Sequence, residues 1–161
     1  EQLIGPALIL WGTTFFHKPV GEKRIVPWHR DGRYWPIKPL ATTSVWIAVT
    51  DTTVENGCLR VIPGSHAAKS IGEHYRDHSD DVTIPETLQP DQFDESQARN
   101  IELEAGQMVV FDVYMAHEFL PLVTARWSGR LPRGCISLDD INKVEGEVSE
   151  AESLPTLDLA F

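Results

Sequence analysis

The chain has 161 residues, 42% of them hydrophobic and 24% charged, and this balance is typical of one globular domain. Its formal charge of −10 argues against nucleic acid as a partner, because an acidic surface repels a phosphate backbone. No apolar run approaches the roughly 20 residues that cross a bilayer, and no secretory signal is visible, so we expect no membrane association.

Short runs rich in β-branched and aromatic residues, separated by glycine and proline, predict a mostly β domain. Asn56-Gly57 indicates a turn, because both residue types tolerate a positive φ. In chain order, the candidate strands cover residues 7–16, 26–31, 43–50, 59–62, 101–103, 108–114 and 134–138.

Two segments lack this β pattern. Residues 66–100 are polar and acidic, and we expect a long insert that carries a short helix or two and serves as a lid or a disordered loop. Residues 139–161 hold seven acids and one lysine, which predicts an acidic, disordered tail. We therefore assign one domain to residues 1–138, followed by the tail.

The two cysteines, Cys58 and Cys135, form no CxxC pair and no disulfide framework. Both lie in apolar surroundings, where a buried free thiol is the ordinary situation. This favours a reducing, cytoplasmic setting.

His29 and Asp31 stand two residues apart in a predicted strand. Side chains at positions i and i+2 of a strand point to the same face, so an imidazole and a carboxylate meet there. His117, after the apolar run 108–116, offers a second imidazole. Two histidines and one carboxylate form the facial triad of non-haem iron(II) oxygenases. An alternative interpretation is a histidine and an aspartate that share a hydrogen bond on a solvated strand.

Several stretches carry a family resemblance. Residues 28–36 read WHRDGRYWP, residues 45–48 read VWIA, and residues 55–66 read ENGCLRVIPGSH. With PLA at 39–41, LEAGQM at 103–108 and His117, they resemble the phytanoyl-CoA dioxygenase family in order and spacing. The resemblance implies a mainly β, double-stranded β-helix (jelly-roll) fold with a few short helices, incomplete at one or both ends.

The resemblance also implies an iron(II)- and 2-oxoglutarate-dependent dioxygenase, which uses O2 to hydroxylate a small organic substrate and releases succinate and carbon dioxide. His29, Asp31 and His117 match the metal ligands, and Trp46 matches a residue that lines the 2-oxoglutarate pocket. A small residue replaces the carboxylate in related halogenases, so Asp31 favours hydroxylation.

Three further residues match the family pattern with less definite roles. Tyr34 and Trp35 either wall the site or pack in the core, and the sequence leaves both alternatives open. His66 ends the Pro-Gly-Ser-His signature, and we expect it to fix a turn and not to bind the metal.

The segment after His117 departs from the family pattern, which has Gly-Ser, then Asn-x-Ser, then an arginine that pairs with the distal carboxylate of 2-oxoglutarate. Ser128 stands where the count expects that arginine. We expect Arg133, or else Arg126, to grip the carboxylate with its guanidinium fork. The alternative is that these arginines lie on the surface. A separate hypothesis is that the chain is truncated or frame-shifted just after His117.

Two other classes of function stay open at this point. One is a non-catalytic jelly-roll module that binds a metal or ligand, which includes an inactive truncated oxygenase. The other is a metal-dependent hydrolase, which uses similar ligands without O2. The residues identify the substrate only as a small molecule, because fold does not select among the family's substrates.

Overall fold

The computed structural model describes residues 9–10, 12–18 and 23–121. Within these ranges the chain forms eight short β-strands and four single-turn 3-10 helices, so the prediction of a mostly β chain is confirmed. The strands are β1 (Val26–His29), β2 (Thr43–Ile47), β3 (Leu59–Val61), β4 (His74–Arg76), β5 (Glu86–Leu88), β6 (Arg99–Ile101), β7 (Met108–Asp112) and β8 (His117–Phe119). The 3-10 helices are Asp31–Arg33, Val54–Asn56, Pro90–Gln92 and Glu95–Gln97.

The strands form a four-stranded antiparallel sheet in the order β1–β8–β3–β6 and two antiparallel pairs, β2–β7 and β4–β5. Because β1 pairs with β8, two strands that are distant in the sequence become neighbours. Their register places His29 opposite His117.

A β-bulge interrupts β1. Val26 pairs with Phe119 and His29 with His117, so β1 uses one residue more than β8 between the same two rungs. Pro27 lies in this interval and has no N–H to donate, which is tolerated at a bulge in an edge strand. The extra residue turns both Val26 and His29 toward the same side of the sheet.

We call that side the inner face. It carries Val26, Leu59, Val61 and Phe119, which are buried together with Phe111 of β7 in one hydrophobic cluster. Trp46 and Val109, which pair across β2 and β7, pack against the cluster from the second layer. A fully buried side chain of this size stabilises the fold by roughly 1.5–3 kcal/mol, so the interface of the two layers is a rigid support for nearby groups.

The opposite, outer face carries the alternate residues of the same strands. Trp28, Ile62, Ala116 and Leu88 of β5 form a second buried cluster, and Phe93 packs against Trp28 with 5.0 Å between ring centroids. Arg60 and Glu118 face each other across β3 and β8 on this side, and the Arg60 guanidinium lies over the Trp28 ring. The segment 66–100 therefore supplies the apolar cover of the outer face.

Five strand predictions overlap an observed strand with different bounds: 26–31, 43–50, 59–62, 101–103 and 108–114. The strand predicted at 7–16 is wrong where it is described, since residues 12–18 form no strand and Leu10 makes only an isolated bridge, because an apolar run still needs a partner strand to pair with. In segment 66–100 the expected short helices are single 3-10 turns, and β4 and β5 were not expected there; β8 was not expected either. A three-residue strand is too short to show a period in the sequence.

Some predictions fall outside the described residues. They are the strand at 134–138, the tail at 139–161 and the environment of Cys135. Cys58 is a buried free thiol, so for this residue the prediction is confirmed. No helix in the described ranges is long and apolar enough to cross a membrane.

Candidate metal centre

His29 ends β1 directly after the bulge and is buried. Its Nδ1 lies 2.8 Å from the carbonyl oxygen of Pro27. Because a carbonyl oxygen can only accept, Nδ1 carries the ring proton and donates it. The other nitrogen, Nε2, is then unprotonated and available as a ligand atom.

His117 begins β8 and is arranged in the same way. Its Nδ1 lies 3.0 Å from the carbonyl oxygen of Met115, two residues earlier in the chain, so this ring also exposes an unprotonated Nε2. The two imidazole rings stand opposite each other across β1 and β8, with 4.2 Å between their centroids. Each ring is thus oriented by a backbone carbonyl of its own segment.

Asp31 reaches the two histidines from a turn and not from the strand. The chain is extended at Arg30 and then enters the 3-10 helix Asp31–Arg33, so the prediction that Asp31 lies in the same strand as His29 is wrong. The predicted convergence nevertheless holds. Asp31 Oδ1 lies 3.5 Å from Nε2 of His29 and 3.5 Å from Nε2 of His117.

Ser44 on β2 holds the other carboxylate oxygen. Its hydroxyl donates a short hydrogen bond to Asp31 Oδ2, which leaves Oδ1 directed at the histidines. Sequence reasoning missed this residue. The available signal was its position two residues before Trp46 in a predicted strand, which puts both side chains on one face.

The site sets the protonation states that metal binding requires. Burial acts to raise the pKa of the Asp31 carboxyl, but in the acid range where this group titrates the charge of His117 and the hydrogen bonds from His29 and Ser44 outweigh burial and lower that pKa to about 2. Burial and the charge of His29 lower the pKa of His117 to about 4. At neutral pH Asp31 is ionised and His117 is neutral.

The three side chains therefore form a group that could hold a metal ion, since one ligand atom from each lies within 4.8 Å of the other two. Two imidazole nitrogens and one carboxylate oxygen suit a divalent first-row transition metal. This donor set fits iron(II).

Aromatic rings enclose the histidines. Phe111 and Phe119 lie 4.7 Å and 6.3 Å from the His117 ring, and Trp46 packs 4.5 Å from Phe119. The indole N–H of Trp46 is buried and has no hydrogen-bond partner among the described residues. Tyr34 stands edge-on to His29 at 6.0 Å, so of the two alternatives left open for it, the structure supports the wall of the site.

Other predicted residues stand apart from this group. Arg126 and Arg133 lie outside the described residues, so their role stays a prediction. His66 lies in a turn, where its carbonyl accepts from Lys69 N, and it is not among the grouped ligands. Trp35 is half-buried beyond the 3-10 helix.

The sequence model of the phytanoyl-CoA dioxygenase (PhyH) family matches residues 2–127. The chain belongs to this family. The match includes all three grouped ligands, and the predicted family is confirmed.

Curated relatives in the PhyH family are longer than this chain. A phytanoyl-CoA dioxygenase domain-containing protein 1 homolog of Dictyostelium discoideum is 29% identical over 91 residues, which cover 55% of this chain and 32% of the relative. The chain spans about a third of the length of the curated relatives it matches.

Solved structures show the same fold. EvdO2 of Micromonospora carbonacea var. aurantiaca, complexed with 2-oxoglutarate, is 28% identical, with a TM-score of 0.57 over 68% of this chain and 44% of that one. The non-haem monooxygenase ThoJ is 25% identical, with a TM-score of 0.62 over 92% of this chain and 66% of that one. The predicted jelly-roll fold is therefore confirmed.

Proposed function

We propose that this chain carries the catalytic centre of an iron(II)- and 2-oxoglutarate-dependent oxygenase that hydroxylates a small organic substrate. His29, Asp31 and His117 would bind the metal. The observation that carries the proposal is the convergence of both Nε2 atoms on Asp31 Oδ1, at 3.5 Å each. When three protein side chains bind a metal from one side, the opposite side stays open to exchangeable ligands.

Two comparisons support the choice of co-substrate. The chain belongs to the PhyH family, and EvdO2, which shares its fold, was solved with 2-oxoglutarate. The buried indole N–H of Trp46, which has no partner within the described ranges, is a donor that a carboxylate oxygen would satisfy. We propose Arg133, or else Arg126, for the distal carboxylate of the co-substrate.

When bound, iron(II) and 2-oxoglutarate supply the oxidising chemistry, in which O2 is consumed and the oxo acid yields succinate and carbon dioxide. The protein's own groups prepare the site for it. Pro27 and Met115 fix the tautomers of the two histidines through their carbonyls, and Ser44 fixes the rotamer of Asp31.

Hydroxylation is the outcome favoured by Asp31. Its carboxylate is ionised and aimed at the histidines, so with a metal bound it would occupy the position that a halide ion would need. Phe111, Phe119 and Tyr34 surround the rings, and such a wall excludes water from a reactive centre.

The test is an anaerobic titration of the purified chain with iron(II) and then with 2-oxoglutarate, followed by the visible metal-to-ligand charge-transfer band. We expect the band in the parent and its loss in His29→Ala. His78→Ala removes an exposed histidine and is the matched control, which should keep the band.

The same titration separates the alternatives. Iron binding without the band would indicate a metal-binding module that lacks the co-substrate site, and the oxygenase proposal would fail while the metal ligands stood. No iron binding would reject both. A separate activity assay decides the hydrolase alternative, which predicts turnover without O2.

A further inference from the structure

The Pro63-Gly64-Ser65-His66 signature lies against the loop that leads from β7 into His117. The backbone N–H of Ile62, just before the signature, donates to the carbonyl of Ala116 at 3.0 Å. Gly64 has a φ of 79°, a left-handed conformation that favours glycine and lets the turn close tightly. The turn closes with a hydrogen bond from Ser65 N to Ile62 O at 3.2 Å.

Ser65 makes two contacts with that loop. Its hydroxyl oxygen accepts from the backbone N–H of Ala116 at 2.9 Å, and its hydroxyl proton points to the sulfur of Met115 at 3.4 Å. Ala116 is fully buried, so water cannot replace the serine as acceptor for this N–H. Ser65 and Ile62 together hold both polar groups of Ala116.

These contacts lead directly to the metal ligand. The peptide bond between Met115 and Ala116 joins the carbonyl that accepts from His117 Nδ1 to the N–H that donates to Ser65. A peptide unit is planar and rigid, so the position of this N–H fixes the direction of that carbonyl. The carbonyl in turn fixes the rotation and the tautomer of the His117 ring.

A second residue of the same turn holds the beginning of the loop. Lys69 forms an ion pair with Asp112 at the end of β7, and its ammonium lies over the Tyr114 ring at 5.2 Å. Lys69 is more than half exposed, so its ion pair is a weak anchor. The buried contact of Ser65 is therefore the one that decides the geometry.

We propose that Ser65 is a positioning residue for His117, and that the Pro-Gly-Ser-His signature keeps this ligand directed at the metal. Ser65 does not touch the metal group itself. The inference rests on the proposed metal site. It assigns the signature a role in orienting a ligand through one shared peptide unit.

The first test measures the affinity for Co(II) in the parent, Ser65→Ala and Ser65→Thr. The visible d–d absorption of the bound ion reports on binding. Loss of an outer hydrogen bond to a ligand weakens metal binding by roughly 10- to 100-fold, and we expect about 10-fold for Ser65→Ala. Threonine keeps the hydroxyl and should restore the parent affinity. Ser96→Ala, an exposed serine of segment 66–100, is the control and should bind as the parent does.

The second test needs no metal and distinguishes positioning from a general loss of structure. In protein labelled with 15N-histidine, the Nδ1 protons of His29 and His117 report on the two rings separately. Ser65→Ala should accelerate the exchange of the His117 proton with water by about 10-fold, as expected for a local opening, and should leave that of His29 unchanged.

Each outcome decides the inference. Weaker Co(II) binding together with selective exchange at His117 supports it. Equal acceleration at both rings would show that Ser65 serves the fold only, and unchanged affinity in Ser65→Ala would also overturn the inference. If Ser65→Ala does not fold, Ser65→Thr must still match the parent in both tests. A parent that binds no Co(II) would instead reject the proposed metal site.

Discussion

The two faces of the β1–β8–β3 sheet carry polar groups of opposite character. On the inner face, ligand atoms of Asp31 and the two histidines converge within 4.8 Å of one another. On the outer face, Arg60 and Glu118 pair with each other at 2.5 Å. The two histidines and this ion pair come from the same three strands, since neighbouring residues point to opposite sides. We infer that the polar groups of the inner face are available to a cation, whereas those of the outer face neutralise each other.

The largest effect is expected from Asp31→Ala on the inner face. It removes the only carboxylate of the grouped ligands, so iron(II) affinity should fall by more than the roughly 100-fold upper limit for outer-sphere changes. Anaerobic isothermal titration measures this. Asp80→Ala, an exposed aspartate, is the control. Parent-like affinity in Asp31→Ala would show that the ligands lie elsewhere.

The 3-10 helix Asp31–Arg33 leaves little space for a side chain at Gly32. A Cβ on Gly32 would lie 2.4 Å from Ile71 Cδ1 and 2.6 Å from Leu40 Cδ2, so Gly32→Ala overpacks this region. Both contacts are terminal methyl groups that can move aside, so we expect a loss of about 1 kcal/mol in the free energy of unfolding, measured by urea denaturation. Gly12→Ala meets no atom within 4 Å and should be neutral. Equal stability of the two variants would contradict the packing described around Asp31.

On the outer face, Glu118→Gln should change stability little and leave metal binding intact. Arg60 loses the charge of its buried partner, but burial raises the pKa of the Glu118 carboxyl, so the removal of a buried charge offsets that cost and we expect a net change within about 1 kcal/mol. Glu95→Gln removes the exposed partner of the same arginine and should also be nearly neutral. A large fall in iron(II) affinity in Glu118→Gln would show that the two faces do not act independently.

The pH dependence of the metal-free protein gives a smaller effect with opposite signs on the two faces. The pKa of His117 is about 4 in the fold, so the unfolded chain takes up a proton first and stability falls as the pH drops below about 6.5. Between pH 7 and pH 5.5 we expect a loss of about 1 kcal/mol, which His117→Gln should largely abolish.

Glu118 acts in the other direction. Burial raises the pKa of its carboxyl, so the folded state binds the proton more readily and gains stability as the pH falls. When the range is extended down to about pH 4, where carboxyl groups titrate, Glu118→Gln should therefore lose more stability than the parent. Equal losses in the parent, His117→Gln and Glu118→Gln would show that neither group controls the transition.

The sequence predicted the parts of the site that residue spacing encodes. His29 and Asp31 were found from their separation, and His117 from its place after the apolar run, with support from the family resemblance, although Asp31 reaches the group from a 3-10 turn. The turn is closed by two backbone hydrogen bonds, from Arg33 N–H to the Arg30 carbonyl and from Tyr34 N–H to the Asp31 carbonyl. No residue pattern in the sequence predicts them. Residue spacing therefore predicted which side chains lie together but assigned Asp31 to a strand and not to a 3-10 helix.

The sequence indicates the face of Ser44 through its spacing to Trp46, but the supporting contacts themselves could not be predicted, because they depend on which strands pair. Ser44 meets Asp31 from β2, and Ser65 meets Ala116 from the turn after β3. The bulge at Pro27 likewise exists only in relation to β8. Long-range pairing of short strands leaves little signal in a single sequence.

The most direct test of the central claim is a crystal structure of the chain grown anaerobically with Mn(II), with anomalous scattering recorded for the metal. We expect one strong anomalous peak within about 2.0 to 2.5 Å of His29 Nε2, His117 Nε2 and an Asp31 carboxylate oxygen. A fully bound metal whose peak lies away from these three atoms would contradict the account.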